Sequence, residues 1–297
     1  MLVYLDQNKW IHLAKIINGK ETSESAINLL QEIKASLNCG YIYPLSAFHY
    51  MEFARISNNG RRQRLGKVMW DFSKNQTLVS SREIVIHELE ISLSKFFPEI
   101  KPKSIRILGN GMFNAFGVEN DDLFPTSSSR IDEVMLTGKS DMDIEPMQHF
   151  NSQYRKNFQD HLKSLHQQLA SVEKINVNNW LNAFALKDIS EPLTYVLSNN
   201  GISEKRISNL NAEDYAEIIN AMPTRALDVH LHKQVLKNKT YNSKLSDLED
   251  WAGLGMAACY CDIVVCEKHF ADMLKRDGYK TKARVVTNMS EIFETIA

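Results

Sequence analysis

Leu2-Val3-Tyr4-Leu5-Asp6-Gln7-Asn8-Lys9-Trp10-Ile11 is the stretch that decides the fold class. Its apolar, β-prone start has no polar alternation, which suits a strand buried on both faces, as parallel strands are. The run stops at Asp6, and Trp10, Ile11, Leu13, Ala14 and Ile17 then follow at helical spacing. Working outward, the pattern predicts a second helix from about Ser23 to Leu37 and a short strand at Tyr41-Ile42-Tyr43. Pro44-Leu45-Ser46 then opens a third helix carrying Met51, Glu52 and Phe53. Strand, helix, helix, strand, helix is an α/β beginning.

The far end repeats this grammar. A helix is expected over about Asp247–Tyr260, because Ser246-Asp247-Leu248-Glu249 before an apolar run is a capping-box pattern. The apolar strand Ile263-Val264-Val265-Cys266 follows, then a helix to about Arg276, a strand near Arg284–Thr287 and a short helix over Ser290–Thr295. Short βα alternation means parallel strands. Between the ends, residues 61–236 show mostly helical periodicity, as in Met147–Val172 and Val177–Leu186, broken by a Gly/Pro/Asn/Ser-rich stretch from Gly109 to Ser129. Its glycine-punctuated start, Leu108–Gly117, lacks the G-x-x-x-x-G-K-[ST] pattern of a P-loop. The expected organisation is one α/β domain, a parallel sheet flanked by helices made from residues 1–60 and 237–297, interrupted by a long, mainly helical insertion over 61–236.

The composition, 43% hydrophobic and 24% charged with a formal net charge of −1, is that of an ordinary globule. Affinity for phosphates must therefore come from local patches or bound metal. Cys39, Cys259, Cys261 and Cys266 have no His/Cys partners at zinc spacing and are expected to be small hydrophobes in a reducing compartment. No stretch approaches the ~20 apolar residues that span a bilayer, and Asp6 and Lys9 interrupt any leader-like run. A cytoplasmic protein without membrane contact is expected.

The acids carry the chemistry. Open parallel sheets bind ligands beyond the carboxyl ends of their strands, where Asp6 and Glu267 both fall. Glu52 lies on the third helix among Phe48, Met51 and Phe53, and Asp250 lies in the first turns of the helix that feeds Ile263–Cys266. Carboxylates converging on one sheet edge repel one another and call for a hard divalent cation, Mg²⁺ or Mn²⁺, with oxygen ligands. Asp247, one turn before Asp250, could assist, and Asn8 could orient Asp6 or a water. Asp262 precedes its strand and belongs at the opposite edge. Ser46 reads as a helix cap, and His49 as a satisfied core histidine. His230 and His232 fall on different helix faces and do not read as ligands.

Val3-Tyr-Leu-Asp6-Gln-Asn-Lys-Trp-Ile resembles the first strand of PIN-domain nucleases. Ser46-Ala-Phe-His-Tyr-Met-Glu52 looks like that family's Ser-to-Glu helix. Asp250 through Cys266-Glu267-Lys-His-Phe270 is similar to its closing unit. The resemblance departs at Gln7 and Cys266, where the family carries Thr or Ser, and at Glu267, where Asp is usual. It implies that Asp6, Glu52, Asp250 and Glu267 hold Mg²⁺ or Mn²⁺ for endonucleolytic cleavage, most often of single-stranded RNA. By family habit it also suggests a bacterial toxin or defence ribonuclease. Arg61, Arg62, Arg64 and Lys67 form a compact basic run, and with Arg225 they are candidates for phosphate-backbone contact. A regulatory protein partner or a homo-oligomer is a further expectation. The rival readings are a catalytically inactive PIN-like binding or regulatory module and a haloacid-dehalogenase-like phosphatase with Asp6 as nucleophile. The second wants an acid two positions on, where this chain has Asn8.

Overall fold

A computed structural model describes residues 1–118, 128–137, 152–169, 176–238 and 240–294. The chain is mixed α/β and mostly helical, and it divides into two compact units. The first comprises Met1–Ser80, Ile107–Ser152 and Glu249–Ala297, and the second Ser81–Arg106 and Gln153–Leu248.

In the first unit, β1 (Val3–Leu5) leads into α1 (Gln7–Ile17), α2 (Glu24–Asn38), α3 (Ala47–Phe53) and α4 (Asn59–Ser73), then β2 (Gln76–Leu78) and β3 (Leu108–Asn110). Beyond the second unit come β4 (Ile263–Val265), the helix Lys268–Lys275 and β5 (Arg284–Val286). The parallel sheet has the order β1-β4-β5, in register at Leu5, Val265 and Val286. All three residues of β1 and of β4 are buried, as their unbroken apolar runs require. Ser23 caps α2 by accepting the Ala26 N–H. Leu5, Trp10, Leu13, Tyr43, Tyr50 and Phe53 fill the core beside the sheet, each large side chain contributing roughly 1.5–3 kcal/mol on burial.

Four local expectations change. Tyr41–Tyr43 gives a single parallel bridge, Leu2 with Ile42, rather than a strand. β2 and β3 pair antiparallel in a region that reads as helical and turn-rich, because three-residue strands are too short to show a period. Asp247–Tyr260 is not one α-helix: three α-helical residues, Asp247–Glu249, pass into a π-helical stretch, Asp250–Leu254, before Gly255–Tyr260 resumes α geometry. The closing segment Met289–Phe293 is a 3₁₀-helix, and Thr295 lies outside the described residues.

The joins also differ from 60/61 and 236/237. α4 buries Leu65, Val68, Met69 and Phe72 in the same core as Trp10 and Leu13, so it belongs with the sheet. Its Gly66 lies against the Leu136 carbonyl of the helix Ser128–Thr137. The second unit is helical, with Leu89, Leu93, Leu181, Ile218 and Ile219 sharing one core. Its helix Ser152–Gln168 covers the described part of Met147–Val172; residues 147–151 and 170–172 lie outside the described residues. Among the described residues, no helix is long and apolar enough to cross a membrane.

Candidate functional site

The carboxyl end of the sheet gathers Asp6 and Glu267. The Asp6 N–H donates to the Val265 carbonyl at 3.0 Å, which fixes the residue after β1 against the last residue of β4. Glu267 is the N-cap of the helix Lys268–Lys275, two residues past β4. Asn8, in the first turn of α1, donates its amide to Glu267 Oε1 at 2.6 Å; its partner is Glu267, not Asp6. Lys9 Nζ donates to the Thr287 carbonyl, just past β5, at 2.7 Å. Asp262 receives the Leu2 N–H at the opposite edge, where its position before the strand puts it.

Asp6 is only 6% exposed. Burial, and then the charge of Glu267, push its carboxyl up to about 6, against the opposing pull of the Gln7 N–H and Lys9. The adjacent Gln7 is buried as well, and neither atom of its amide has a hydrogen-bond partner.

His49 sets the end of β1. Its Nδ1 accepts the Ser46 N–H at 3.0 Å, so Nε2 carries the proton and donates to the Leu5 carbonyl at 2.8 Å. Burial lowers it to about 4, and the ring is neutral. It is a satisfied core histidine that ties α3 to the residue before Asp6, with Ser46 as the N-cap of α3. The Tyr4 hydroxyl meets Ser46 Oγ at 2.9 Å. Its phenol is raised well above the ordinary range by burial, with Asp6 and Glu52 both adding negative potential. Burial likewise pushes the Cys266 thiol up to about 12, with Asp6 and Asp250 among the contributing charges. Asp6 therefore shares one buried neighbour with Glu52 and another with Asp250.

Glu52 has its own cation. Arg55 reaches Glu52 Oε1 at 3.4 Å and Glu249 Oε1 at 3.3 Å, linking α3 to the residue immediately before Asp250. The π-helical stretch that Asp250 opens packs close to β1 and α3: a Cβ on Gly253 would stand 3.0 Å from the Tyr4 hydroxyl and 3.3 Å from Phe48. Such π turns occur often at functional sites. Arg55 and Glu249 escaped the sequence reading; the three-residue spacing from Glu52 to Arg55 was a signal for the first.

The four acids thus fall into two sets, Asp6 with Glu267 and Glu52 with the Arg55–Glu249 link to Asp250. Among the described residues, no group of three or more His, Cys, Asp or Glu is arranged to hold a metal ion. The charge of Glu267 is felt at Asp6, which it helps to raise, so these two carboxylates are the pair a hard cation would suit. It would suit Glu52 less well, since Arg55 already stands beside that carboxylate. Asp247 belongs to the second unit, where it accepts the Lys244 N–H and the Tyr241 hydroxyl and shapes a turn.

The basic run also divides. Arg62 is 4% exposed, donates to the Ala54 carbonyl at 2.8 Å and lies over the Phe53 ring; it is a packing residue and cannot meet a phosphate. Lys67 pairs with Asp71 at 2.6 Å. Arg225 lies in the second unit, near Asp188. Arg61 and Arg64 face solvent.

No family model, curated protein or solved structure matches the chain.

Proposed function

We infer that the chain is a divalent-metal-dependent endonuclease with a PIN-like core, hydrolysing phosphodiester bonds of single-stranded RNA. The observation that carries this reading is the pair Asp6 and Glu267 at the carboxyl ends of adjacent parallel strands, with Asp6 held near 6 by burial and by its neighbour. Two carboxylates kept together in this way are costly unless a cation joins them. The Lys9 ammonium, which opposes the rise of Asp6, makes its hydrogen bond to the Thr287 carbonyl.

Asp6 and Glu267 would hold Mg²⁺ or Mn²⁺, with Asp250 completing the acidic rim. When bound, the ion would supply charge neutralisation at a phosphoryl oxygen and lower the pKa of a water. Asn8 orients Glu267, His49 anchors the Leu5 carbonyl one residue before Asp6, and Arg55 ties Glu52 to Glu249, the residue before Asp250. A splayed single strand can lower one phosphate onto such a strand edge.

The inactive binding module has its own support in Gln7, whose buried, unpartnered amide stands where the resembled family carries a hydroxyl. The deciding experiment is cleavage of labelled single-stranded RNA and DNA by wild type and Asp6→Asn, with Mn²⁺, Mg²⁺ or EDTA. Metal-dependent cutting of RNA that Asp6→Asn abolishes is the expected result. Cutting that persists in EDTA or in Asp6→Asn would overturn it. Absence of both Mn²⁺ binding and cutting would favour the binding module.

A further inference from the structure

α1 and α4 enclose a cleft of about 400 Å³. Lys15 and Lys20 line it from α1 and the turn after it, and Arg61 and Arg64 from the start of α4. Its apolar side is formed by Ile11, Ala14 and Leu65. All four cations are exposed, and among the described residues none of them makes an ion pair. Their neighbours on α4 are otherwise engaged: Arg62 faces inward and Lys67 is held by Asp71. Cations that are neither paired nor packed, converging on one concavity with no carboxylate in its lining, lack the local neutralisation that surface charges of a near-neutral chain ordinarily find.

We propose that this cleft binds a phosphate-bearing nucleotide, with the phosphate on Arg61, Arg64, Lys15 and Lys20 and the ribose or base against Ile11 and Leu65. The volume falls in the range of small-ligand pockets, about 300–1,000 Å³, which combine apolar walls with a few charged groups. Arginine guanidiniums present planar donors matched to phosphate oxygens, and lysines add mobile point charges. The nucleotide can be a unit of a strand or a free one. α1 links the cleft to the acids: Lys15 is nine residues beyond Asp6, about 14 Å along the helix at its usual rise. A strand whose scissile phosphate sits at Asp6 would lay a neighbouring nucleotide in the cleft. That placement rests on the nuclease reading; binding itself does not.

The test is fluorescence anisotropy of the full chain in EDTA, where no metal-dependent cleavage can occur, with a short labelled oligouridylate as probe and unlabelled ATP as competitor. Wild type and Asp6→Asn should bind alike, and binding should weaken with salt. Arg61→Gln/Arg64→Gln should bind about tenfold more weakly, with a salt slope shallower by about 1.4, two single-strand phosphate contacts at roughly 0.7 each. Lys15→Gln/Lys20→Gln should behave similarly, and Lys67→Gln as wild type, all with unchanged circular dichroism. Direct binding of labelled ATP without oligouridylate binding, lost in the same double variants, assigns the cleft to a free nucleotide. Binding of neither probe, or equal binding by wild type and both double variants, overturns the proposal. Loss of binding in Asp6→Asn alone, with both double variants binding as wild type does, would place the oligouridylate at the acids and overturn the cleft assignment.

Discussion

Replacing Asp6 by Asn should stabilise this protein at neutral pH while removing its proposed activity. The Asp6 carboxyl rises from 3.8 to about 6 on folding. Its folded value lies above its unfolded one, so its contribution to stability is fully present below 3.8 and is lost as pH rises through about 6. That rise corresponds to about 3 kcal/mol, at about 1.36 kcal/mol for each tenfold change in acidity. Because the side chain is 6% exposed, solvent screening removes little of this. Above pH 6 the ionised Asp6 therefore strains the sheet edge by up to about 3 kcal/mol, and a neutral amide of the same shape relieves that strain. Urea unfolding of both proteins across the pH range should show Asp6→Asn ahead at neutral pH, by on the order of 5 °C in a parallel thermal melt. The two curves should converge below pH 3.8, where the wild-type carboxyl is protonated in both states. An Asn variant less stable than wild type at neutral pH, or one whose advantage does not change with pH, would refute the reasoning.

Mn²⁺ should raise the unfolding midpoint of wild type, by about 2.7 kcal/mol at a hundredfold excess over its dissociation constant, and leave Asp6→Asn unmoved, as read by the same melts. His49 titrates in the opposite sense. Burial lowers it from 6.5 to about 4, so the stability it contributes is present above 6.5 and lost as pH falls through about 4, by about 3 kcal/mol; His49→Gln should flatten that acid limb in urea unfolding. Gly66→Ala should cost about 1–3 kcal/mol, because its new methyl meets the Leu136 carbonyl oxygen rather than space. Arg55→Gln should destabilise by on the order of 3 kcal/mol by removing the Arg55 charge from the 3%-exposed Glu249, and adding Glu249→Gln should restore part of that loss in chemical denaturation.

β1, α1, β4 and the acids that end both strands were legible in the sequence, because an unbroken apolar run closed by a carboxylate marks both a buried parallel strand and its carboxyl end. Arg62 was legible too, though overlooked: with Leu65, Gly66 and Met69 it falls at i, i+3, i+4 and i+7, on the apolar face of α4. Other features were not. The π-helical hydrogen-bond pattern of Asp250–Leu254 leaves no periodic trace over five residues. β2 and β3 take their stability from each other across 30 residues, too short and too far apart to reveal a pattern. The Arg55 link from Glu52 to Glu249 joins residues nearly 200 positions apart, a contact that tertiary packing alone creates. The unit joins shifted for the same reason, since helical periodicity tells that α4 is a helix but not which core receives it.

The hydrogen bond from Asn8 to Glu267 spans 259 residues of sequence, and the pairing of β1 with β4 is just as remote. On a ribosome adding about 5–20 residues per second, roughly 10 to 50 seconds separate the emergence of Asp6 from that of its partner acid. The helical unit encoded between them has time to fold while β1 still waits. The acidic edge cannot exist on a growing chain that has not yet delivered β4, so the proposed site stays unassembled beside the message being translated.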